Sequence, residues 1–283
     1  MTTELTNAEY HAHEAISKSD LDAARKSGIH FLDKKEGPPR ASTPFFDLGT
    51  AFHAGLLPGE DFSKVAVRMP KEITSKATKS GKEFAKEHEG KIILNHSDSY
   101  ALDQMMLSVS QHPAASGLLN GELKGKSEQS FFCTDDGETE LELKCRPDFM
   151  LDDGSLIIDV KTTTDASPNG FKKSLANFRY FVQAAFYLEV VEKATGRRPE
   201  AFIFVAVEKQ RPFATGVYVA DDECIRIGME QAREDLMNIA KWKNTGIYPG
   251  YSSQAEMISL PKWMLPREDG AMPAADHQPI ELY

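Results

Sequence analysis

Two acidic residues and a lysine lie close together around one candidate hairpin, "DFMLDDGSLIIDVKTT", which spans Asp148–Thr163. Asp159 and Lys161 are two residues apart in its second strand, so their side chains point to the same face. The run "SLII" before Asp159 predicts a mostly buried strand, where a charge is costly unless it is paired or bound to a ligand. We therefore favour a metal site over a surface ion pair, which would contribute little stability.

The two carboxylates indicate which chemistry the hairpin would support. Oxygen ligands of this kind suit Mg²⁺ or Mn²⁺. An ion held by Asp148 and Asp159 would lower the pKa of a bound water and neutralise charge on a phosphate oxygen. Lys161 could orient that water, take its proton or stabilise the developing negative charge. Nearby carboxylates favour a charged Lys161 and burial opposes it, so the sequence leaves its role open.

Helices and strands alternate around the hairpin in an order that defines a fold class. Helices are predicted over residues 8–26, 47–57, 96–119, 168–195 and 221–242, and a Pro-rich loop over 33–45. Strands are predicted over residues 127–134, 139–151, 155–163, 201–208 and 215–220. Turn signals such as "DDGE" and "DDG" separate the first three strands. This order predicts a mixed α/β fold, with a central mixed β-sheet flanked by helices.

The chain is expected to form one domain over residues 1–265. Its N-terminal part, residues 1–120, is mainly helical, and residues 121–245 form the catalytic core. Residues 266–283 are rich in Pro, Asp and Ala, which predicts a disordered tail.

The composition indicates which binding partners and which cellular compartment to expect. The 283 residues are 41% hydrophobic with a formal net charge of −10, which argues against a broad DNA-coating surface but not against a local basic channel. Residues 64–91 carry eight Lys or Arg against four Glu, so they form either a solvated surface or a loop that contacts phosphates. The sequence has no apolar run of about 18 residues and no signal-peptide pattern at its start. Cys133, Cys145 and Cys224 form no CxxC pair, so we expect reduced thiols in a cytoplasm.

Several motifs carry a resemblance to a known family. "RPD" (Arg146–Asp148) followed by "IIDVKTT" resembles the PD-(D/E)xK nuclease core, with Asp159 where many members have Glu. "LGTAFHAGLL" is similar to the Gly-xxx-His helix of the RecB-like branch, and "FVQAAFY" to its Gln-xxx-Tyr motif. The similarity is greatest to exonuclease VIII (RecE)-like nuclease domains and runs in order from "EYHAHEAISKSDL" to "ISLPKW".

This resemblance implies a metal-dependent exonuclease that degrades one strand of linear double-stranded DNA from its 5′ end. The 3′ single strands that remain would serve a recombinase or a single-strand annealing protein. The enzyme would act as a toroidal trimer or tetramer, encoded by a phage or prophage and located in the bacterial cytoplasm, with no membrane association.

The resemblance also assigns roles to individual residues. Mg²⁺ or Mn²⁺ would be held by His53, Asp148, Asp159 and the Val160 backbone carbonyl. Lys161 would be catalytic, and Gln183 and Tyr187 would position the water, Lys161 or the phosphate. The resemblance also gives Glu128 as an additional metal ligand or a supporting residue, with a solvated strand residue as the alternative, and Ser19, Lys18 and Arg146 as DNA contacts.

Some residues keep two interpretations. Arg146 could meet a phosphate or pair with Glu142, and Tyr180 could line the site or only pack. His96 and His112 have no partner pattern, and we interpret both as structural.

Other functions remain open. The chain could be a nuclease of different polarity, an endonuclease, or a non-catalytic DNA-binding or assembly module. A single-strand exonuclease of the CRISPR-associated iron–sulfur type would need four cluster cysteines, whereas this sequence has three cysteines. The intact set of His53, Asp148, Asp159, Lys161 and Gln183 argues against a decayed site.

Overall fold

The computed structural model describes residues 2–3, 5–38 and 44–261, and only the backbone path of residues 2–3 and 44–46. The helices are α1 (Asn7–Ala12), α2 (Lys18–Lys26), α3 (Gly28–Glu36), α4 (Pro44–Leu56), α5 (Phe62–Val65), α6 (Lys79–Glu87), α7 (His96–Gln111), α8 (Pro113–Leu119), α9 (Pro168–Asn177), α10 (Tyr180–Thr195) and α11 (Asp222–Thr245). The strands are β1 (Thr2–Thr3), β2 (Ala66–Arg68), β3 (Ile92–Leu94), β4 (Gly125–Ser127), β5 (Ser130–Thr134), β6 (Glu142–Cys145), β7 (Phe149–Leu151), β8 (Leu156–Thr163), β9 (Ala201–Glu208) and β10 (Thr215–Val219). The predicted tail, residues 266–283, lies outside the described residues.

The central sheet has five strands in the order β10-β9-β8-β7-β4. β8 and β9 are parallel over their full length, from Leu156 opposite Ala201 to Thr163 opposite Glu208. The other neighbours are antiparallel. α9 and α10 form the crossover that two parallel strands require. The predicted mixed sheet flanked by helices is therefore confirmed.

Helices cover both faces of this sheet. Ile157 of β8 belongs to one buried cluster with Val182 of α10 and Leu236 of α11. Its neighbour Ile158 belongs to a second cluster, with Phe52 of α4 and other residues of α7 and α8. Because neighbouring residues of a strand point to opposite faces, β8 is apolar on both sides, as is usual for a strand in the middle of a covered sheet.

Two smaller sheets complete the described structure. β1, β5 and β6 form an antiparallel sheet whose last two strands pack against α10. β2 and β3 form a parallel pair next to α4 and α7. In the described part of the chain, no helix combines the length and the apolar character that crossing a membrane requires.

The prediction of a single strand was wrong for two stretches of the chain, each of which forms parts of two strands. Residues 139–151 divide into β6 and β7, which belong to different sheets, and the break falls at Arg146–Asp148. Pro147 lies in this break, and proline has no N–H for a strand ladder. Residues 127–134 divide into β4 and β5 at Glu128, whose φ of 51° lies in the left-handed region.

The prediction of a single helix was also wrong for three stretches, each of which forms two helices. Residues 96–119 divide at Pro113, which begins α8. Residues 8–26 divide into α1 and α2, and Ser17 is the N-cap of α2, with its N–H donating to Asp20 Oδ2 at 2.7 Å. Residues 168–195 divide at Arg179, which has φ 52° and ψ 41°. The predicted loop at 33–45 starts later than expected, because α3 continues to Glu36.

Candidate active site

The central sheet opens along one edge of β8. β7 pairs with β8 at Phe149 and Met150, and in the described chain no further residue of β7 continues this ladder toward Thr163. Asp148 directly precedes β7, and its Oδ2 accepts a hydrogen bond from the Val160 N–H of β8 at 2.7 Å. This side-chain bond replaces a backbone bond between the two strands. The carboxylate of Asp148 is thereby held at the point where the sheet opens.

Three side chains that can bind a metal converge on this point. One potential ligand atom from each of His53, Glu128 and Asp148 lies within 4.8 Å of the other two. His53 Nδ1 is 3.4 Å from Asp148 Oδ2. Glu128 follows β4, and its N–H donates to the Asp148 carbonyl oxygen at 3.1 Å. The left-handed backbone of Glu128 therefore turns the chain from β4 to β5 directly opposite Asp148.

His53 lies on α4, which packs against β8. A Cβ atom at Gly49, one helical turn before His53, would lie 3.4 Å from Thr162 Oγ1, so α4 approaches the strand closely at Gly49. This approach explains how the Gly-xxx-His spacing positions the histidine next to the open edge.

Burial and negative charge act together on Glu128. Burial raises the pKa of its carboxyl, the charge of Asp148 raises it further, and the result is about 8. Glu60, on the exposed loop after α4, also raises this pKa. Glu60 was not among the predicted site residues, because no motif or spacing in the sequence connects it with the hairpin. Crowding of carboxyl groups in this way disfavours their ionised form, and a bound cation would favour it.

Asp159 lies beside this group and is fully buried. Its Oδ1 accepts a hydrogen bond from Gln183 Nε2 at 2.6 Å, and its Oδ2 lies 2.5 Å from Lys161 Nζ. Burial raises the pKa of Asp159 to about 6, although the charge of Lys161 lowers it. Burial also lowers the pKa of Lys161, but Asp159 and Asp148 outweigh that effect and raise it. Lys161 is therefore a charged ammonium at neutral pH, which favours an electrostatic role over that of a base.

The residues at the open edge fit a hard divalent cation. Two carboxylates and an imidazole are suitable ligands for such an ion. Asp159 Oδ2 is buried and accepts no well-aligned hydrogen bond from the described residues, despite its short distance to Lys161 Nζ. His53, Glu128 and Asp148 are thus the residues whose potential ligand atoms the structure brings close enough to share one ion. Ligation by Asp159 and by the Val160 carbonyl remains a prediction.

A cavity of about 600 Å³ lies next to Lys161. Lys161, Gln183, Tyr180 and Tyr187 line it together with Lys18 and Ser19. Lys18 Nζ forms an ion pair with Asp22 at 2.7 Å and donates to the Phe178 carbonyl oxygen at 2.7 Å. The residues predicted to hold a 5′ phosphate therefore share one cavity with the predicted catalytic lysine.

Two aromatic residues of α10 contribute to this cavity in different ways. Tyr180 has Lys161 Nζ 4.8 Å from its ring centroid, so it both lines the cavity and contacts the lysine. Tyr187 packs edge-on against Phe202 at 6.1 Å, and burial raises the pKa of its hydroxyl.

Other predicted residues are engaged within the protein. Arg146 does not pair with Glu142. Its guanidinium donates to Ser130 Oγ at 2.7 and 2.9 Å and to the Leu5 carbonyl oxygen at 2.9 Å, and it is largely buried. These bonds favour a structural role, and a DNA contact by Arg146 remains a prediction. His96 Nε2 lies 3.0 Å from the Ile73 carbonyl oxygen, and His112 precedes α8 as its N-cap, in agreement with their structural interpretation.

The basic segment, residues 64–91, does not form part of the cavity lining. It contains the end of α5, β2 and α6. Arg68 pairs with Asp103 at 2.6 Å, and most of the lysines of the segment are exposed. A contact of this surface with phosphates remains a prediction.

Comparison with known proteins identifies a family and a shared fold. The model of a family described as "PDDEXK-like domain of unknown function (DUF3799)" matches residues 17–261. No curated protein matches the chain. A crystal structure from Eubacterium rectale, named "Putative exonuclease", superposes with a TM-score of 0.62 at 14% identity, over 92% of this chain and 96% of that one.

Two further structures resemble the chain less closely. A phage related exonuclease from Haemophilus somnus gives a TM-score of 0.34 at 14% identity, over 69% of this chain and 94% of that one. An alkaline exonuclease from Laribacter hongkongensis gives 0.29 at 12% identity, over 69% of this chain and 96% of that one. At these identities the Eubacterium rectale likeness establishes a common fold, and the two weaker likenesses add nothing to it.

Proposed function

Because the chain belongs to the PDDEXK-like domain family whose model matches residues 17–261, we propose that it is a metal-dependent DNA exonuclease. The observation that carries the proposal is the contact of Lys161 and Gln183 with the buried Asp159, beside the convergent group of His53, Glu128 and Asp148. The name of the Eubacterium rectale structure agrees with this activity.

The site residues support hydrolysis of a phosphodiester. A divalent cation held by His53, Glu128 and Asp148 would supply Lewis-acid chemistry, which acidifies water and neutralises phosphate charge. Lys161, kept as an ammonium by Asp159, would stabilise negative charge that develops on the phosphate. Gln183 fixes the carboxylate of Asp159, and Tyr180 restrains the ammonium of Lys161.

The substrate and its polarity follow from the resemblance of the motifs to exonuclease VIII-like domains. The substrate would be linear double-stranded DNA, of which one strand is removed from the 5′ end. Lys18 and Ser19, in the same cavity as Lys161, would contact the terminal phosphate. The 3′ strands produced would be passed to an annealing protein or recombinase, and a ring of three or four copies would keep the enzyme on its substrate.

End-labelled DNA tests this proposal. Purified protein is incubated with linear duplex labelled at the 5′ or the 3′ end, with Mg²⁺, with Mn²⁺ or with a chelator. Early release of the 5′ label is expected, only with a metal ion and only with an unsubstituted Lys161. The Lys161→Ala variant and a closed circular duplex are the controls.

Each other result would contradict a defined part of the proposal. Early release of the 3′ label would reverse the polarity, and cleavage of the closed circle would indicate an endonuclease. Binding of linear DNA without cleavage under any metal condition would indicate a non-catalytic module.

A further inference from the structure

An exposed aromatic side chain stands at the break between α9 and α10. Phe178 is 58% exposed, and its ring stacks on that of Tyr180, with centroids 5.5 Å apart and an interplanar angle of 28°. Lys161 Nζ lies 4.8 Å from the Tyr180 centroid, and Lys18 Nζ lies 5.8 Å from it. A continuous stack of side chains therefore leads from solvent to the predicted catalytic lysine.

Tertiary contacts maintain this position of Phe178. The sequence at the break, "LANFRYF", contains neither Pro nor Gly, so its composition does not require the helix to end. Arg179 nevertheless adopts the left-handed conformation, which is unfavourable for a residue with a side chain. Its guanidinium pairs with Asp22 of α2 at 3.3 Å and with Asp235 of α11 at 2.5 Å. Lys18 holds the Phe178 carbonyl oxygen by a hydrogen bond of 2.7 Å.

The surroundings of Phe178 indicate which ligand its ring would contact. An exposed aromatic face beside cationic side chains suits a group that is flat and apolar but attached to negative charge. A nucleotide has both parts, since its base can stack on an aromatic ring while its phosphate meets lysines. Lys18 and Lys161 both lie against the ring of Tyr180, on which Phe178 stacks. A purely apolar partner would gain nothing from these charges.

We propose that Phe178 stacks on a nucleobase of the DNA strand whose phosphate enters the cavity at Lys161. Phe178 is then a substrate-positioning residue that aligns the end of the DNA strand. It recognises DNA by stacking on a base, independently of the base sequence. This role rests on the proposed nuclease function, and it extends the site beyond the cavity to the surface at the α9–α10 break.

Fluorescence of a base analogue tests the proposal apart from cleavage. A short DNA with 2-aminopurine at its 5′ terminal positions is titrated with full-length protein in EDTA at low salt, so that no cleavage intervenes. The wild-type protein is expected to quench the fluorescence by stacking. Phe178→Leu should lose the quenching and weaken binding about tenfold, whereas Phe178→Tyr should retain both.

A matched control variant is Tyr100→Leu. Tyr100 is 47% exposed on α7, packs against Phe213 at 6.2 Å and does not line the cavity. This variant should bind and quench like the wild type. Thermal unfolding of each variant shows whether it is folded.

The outcomes separate this proposal from the proposed function. Unchanged quenching and affinity in a folded Phe178→Leu variant would overturn the stacking role, even if the wild type digests DNA. Loss of quenching in that variant, with no digestion by the wild type, would support base stacking and contradict the nuclease. Absence of DNA binding by the wild type in EDTA would overturn the stacking role, and the end-label assay with Mg²⁺ or Mn²⁺ would then decide the nuclease separately.

Discussion

Gln183 donates a hydrogen bond from Nε2 to Oδ1 of Asp159 at 2.6 Å, and both side chains are buried. This bond joins α10 to β8 across the inner face of the sheet. It also fixes the second carboxylate oxygen of Asp159, which lies 2.5 Å from Lys161 Nζ. Gln183 therefore acts on the site through the orientation of Asp159, and indirectly through that of Lys161.

Replacement of Gln183 by Leu keeps most of the side-chain volume but removes the donor. Asp159 Oδ1 then lacks a buried partner, so the free energy of unfolding should fall by about 1–3 kcal/mol. Cleavage should slow by about 100-fold, because small displacements of catalytic groups are costly. Urea unfolding and the end-label assay measure the two effects. Gln111→Leu, on the exposed end of α7, is the control. Equal stability of Gln183→Leu and wild type would show that the bond does not support the fold.

The buried pair of Lys161 and Asp159 should be strongly coupled. The two side chains are 16% and 1% exposed. A double-mutant cycle with Lys161→Met, Asp159→Asn and the double variant should give a coupling energy of about 1–3 kcal/mol in urea unfolding, since neighbouring residues of one network are not additive. The exposed pair of Arg68 and Asp103, at 41% and 54%, should give about 0–1 kcal/mol in the same experiment. Equal values for the two pairs would contradict a buried ionic core of the site.

Local sequence patterns were sufficient for the centre of the fold. The alternation of β8 predicted that Asp159 and Lys161 share a face, and the structure has both side chains in contact. The mixed sheet followed from the order of apolar strands and amphipathic helices. These features depend on residues close in sequence, where backbone periodicity determines the side-chain direction.

Features set by distant residues were not predictable in this way. The break at Arg179 depends on Asp22 and Asp235, which are 157 and 56 residues away. The left-handed turn at Glu128 depends on its pairing with Asp148. By contrast, the break at Pro147 had a local signal in the missing N–H of proline, and the prediction of one strand overlooked it.

A divalent cation should stabilise the folded protein through the group of His53, Glu128 and Asp148. At a free concentration of 100 times its dissociation constant, an ion bound only by the folded state adds about 2.7 kcal/mol. Thermal unfolding with Mg²⁺ or Mn²⁺ should therefore show a higher midpoint than unfolding in EDTA. Asp148→Asn and Glu128→Gln should reduce the shift, and Asp103→Asn, at an exposed site, should leave it unchanged. No shift with either ion would contradict the metal site.

Asp135 anchors a second ionic network, on the far end of α10. Its carboxylate accepts hydrogen bonds from Lys193 of α10 at 2.5 Å, from Arg233 of α11 at 2.7 Å and from Thr139 at 2.6 Å. Burial raises the pKa of Asp135, but these three partners outweigh burial and lower the pKa to about 2.

The low pKa of Asp135 makes the stability of the protein depend on pH in acid. Its pKa in the unfolded chain is about 3.9, so the folded state holds the proton less tightly, and the ionised network contributes fully above that value. The contribution is about 2 kcal/mol and should be lost progressively as the pH falls from about 4 through 2. Urea unfolding at a series of pH values should show that the wild type exceeds Asp135→Asn in stability at pH 6 and that the difference shrinks steadily toward pH 2. Asp136→Asn, at the neighbouring exposed position, should follow the wild type throughout. A difference between wild type and Asp135→Asn that stays constant over this range would show that ionisation of Asp135 does not stabilise the network.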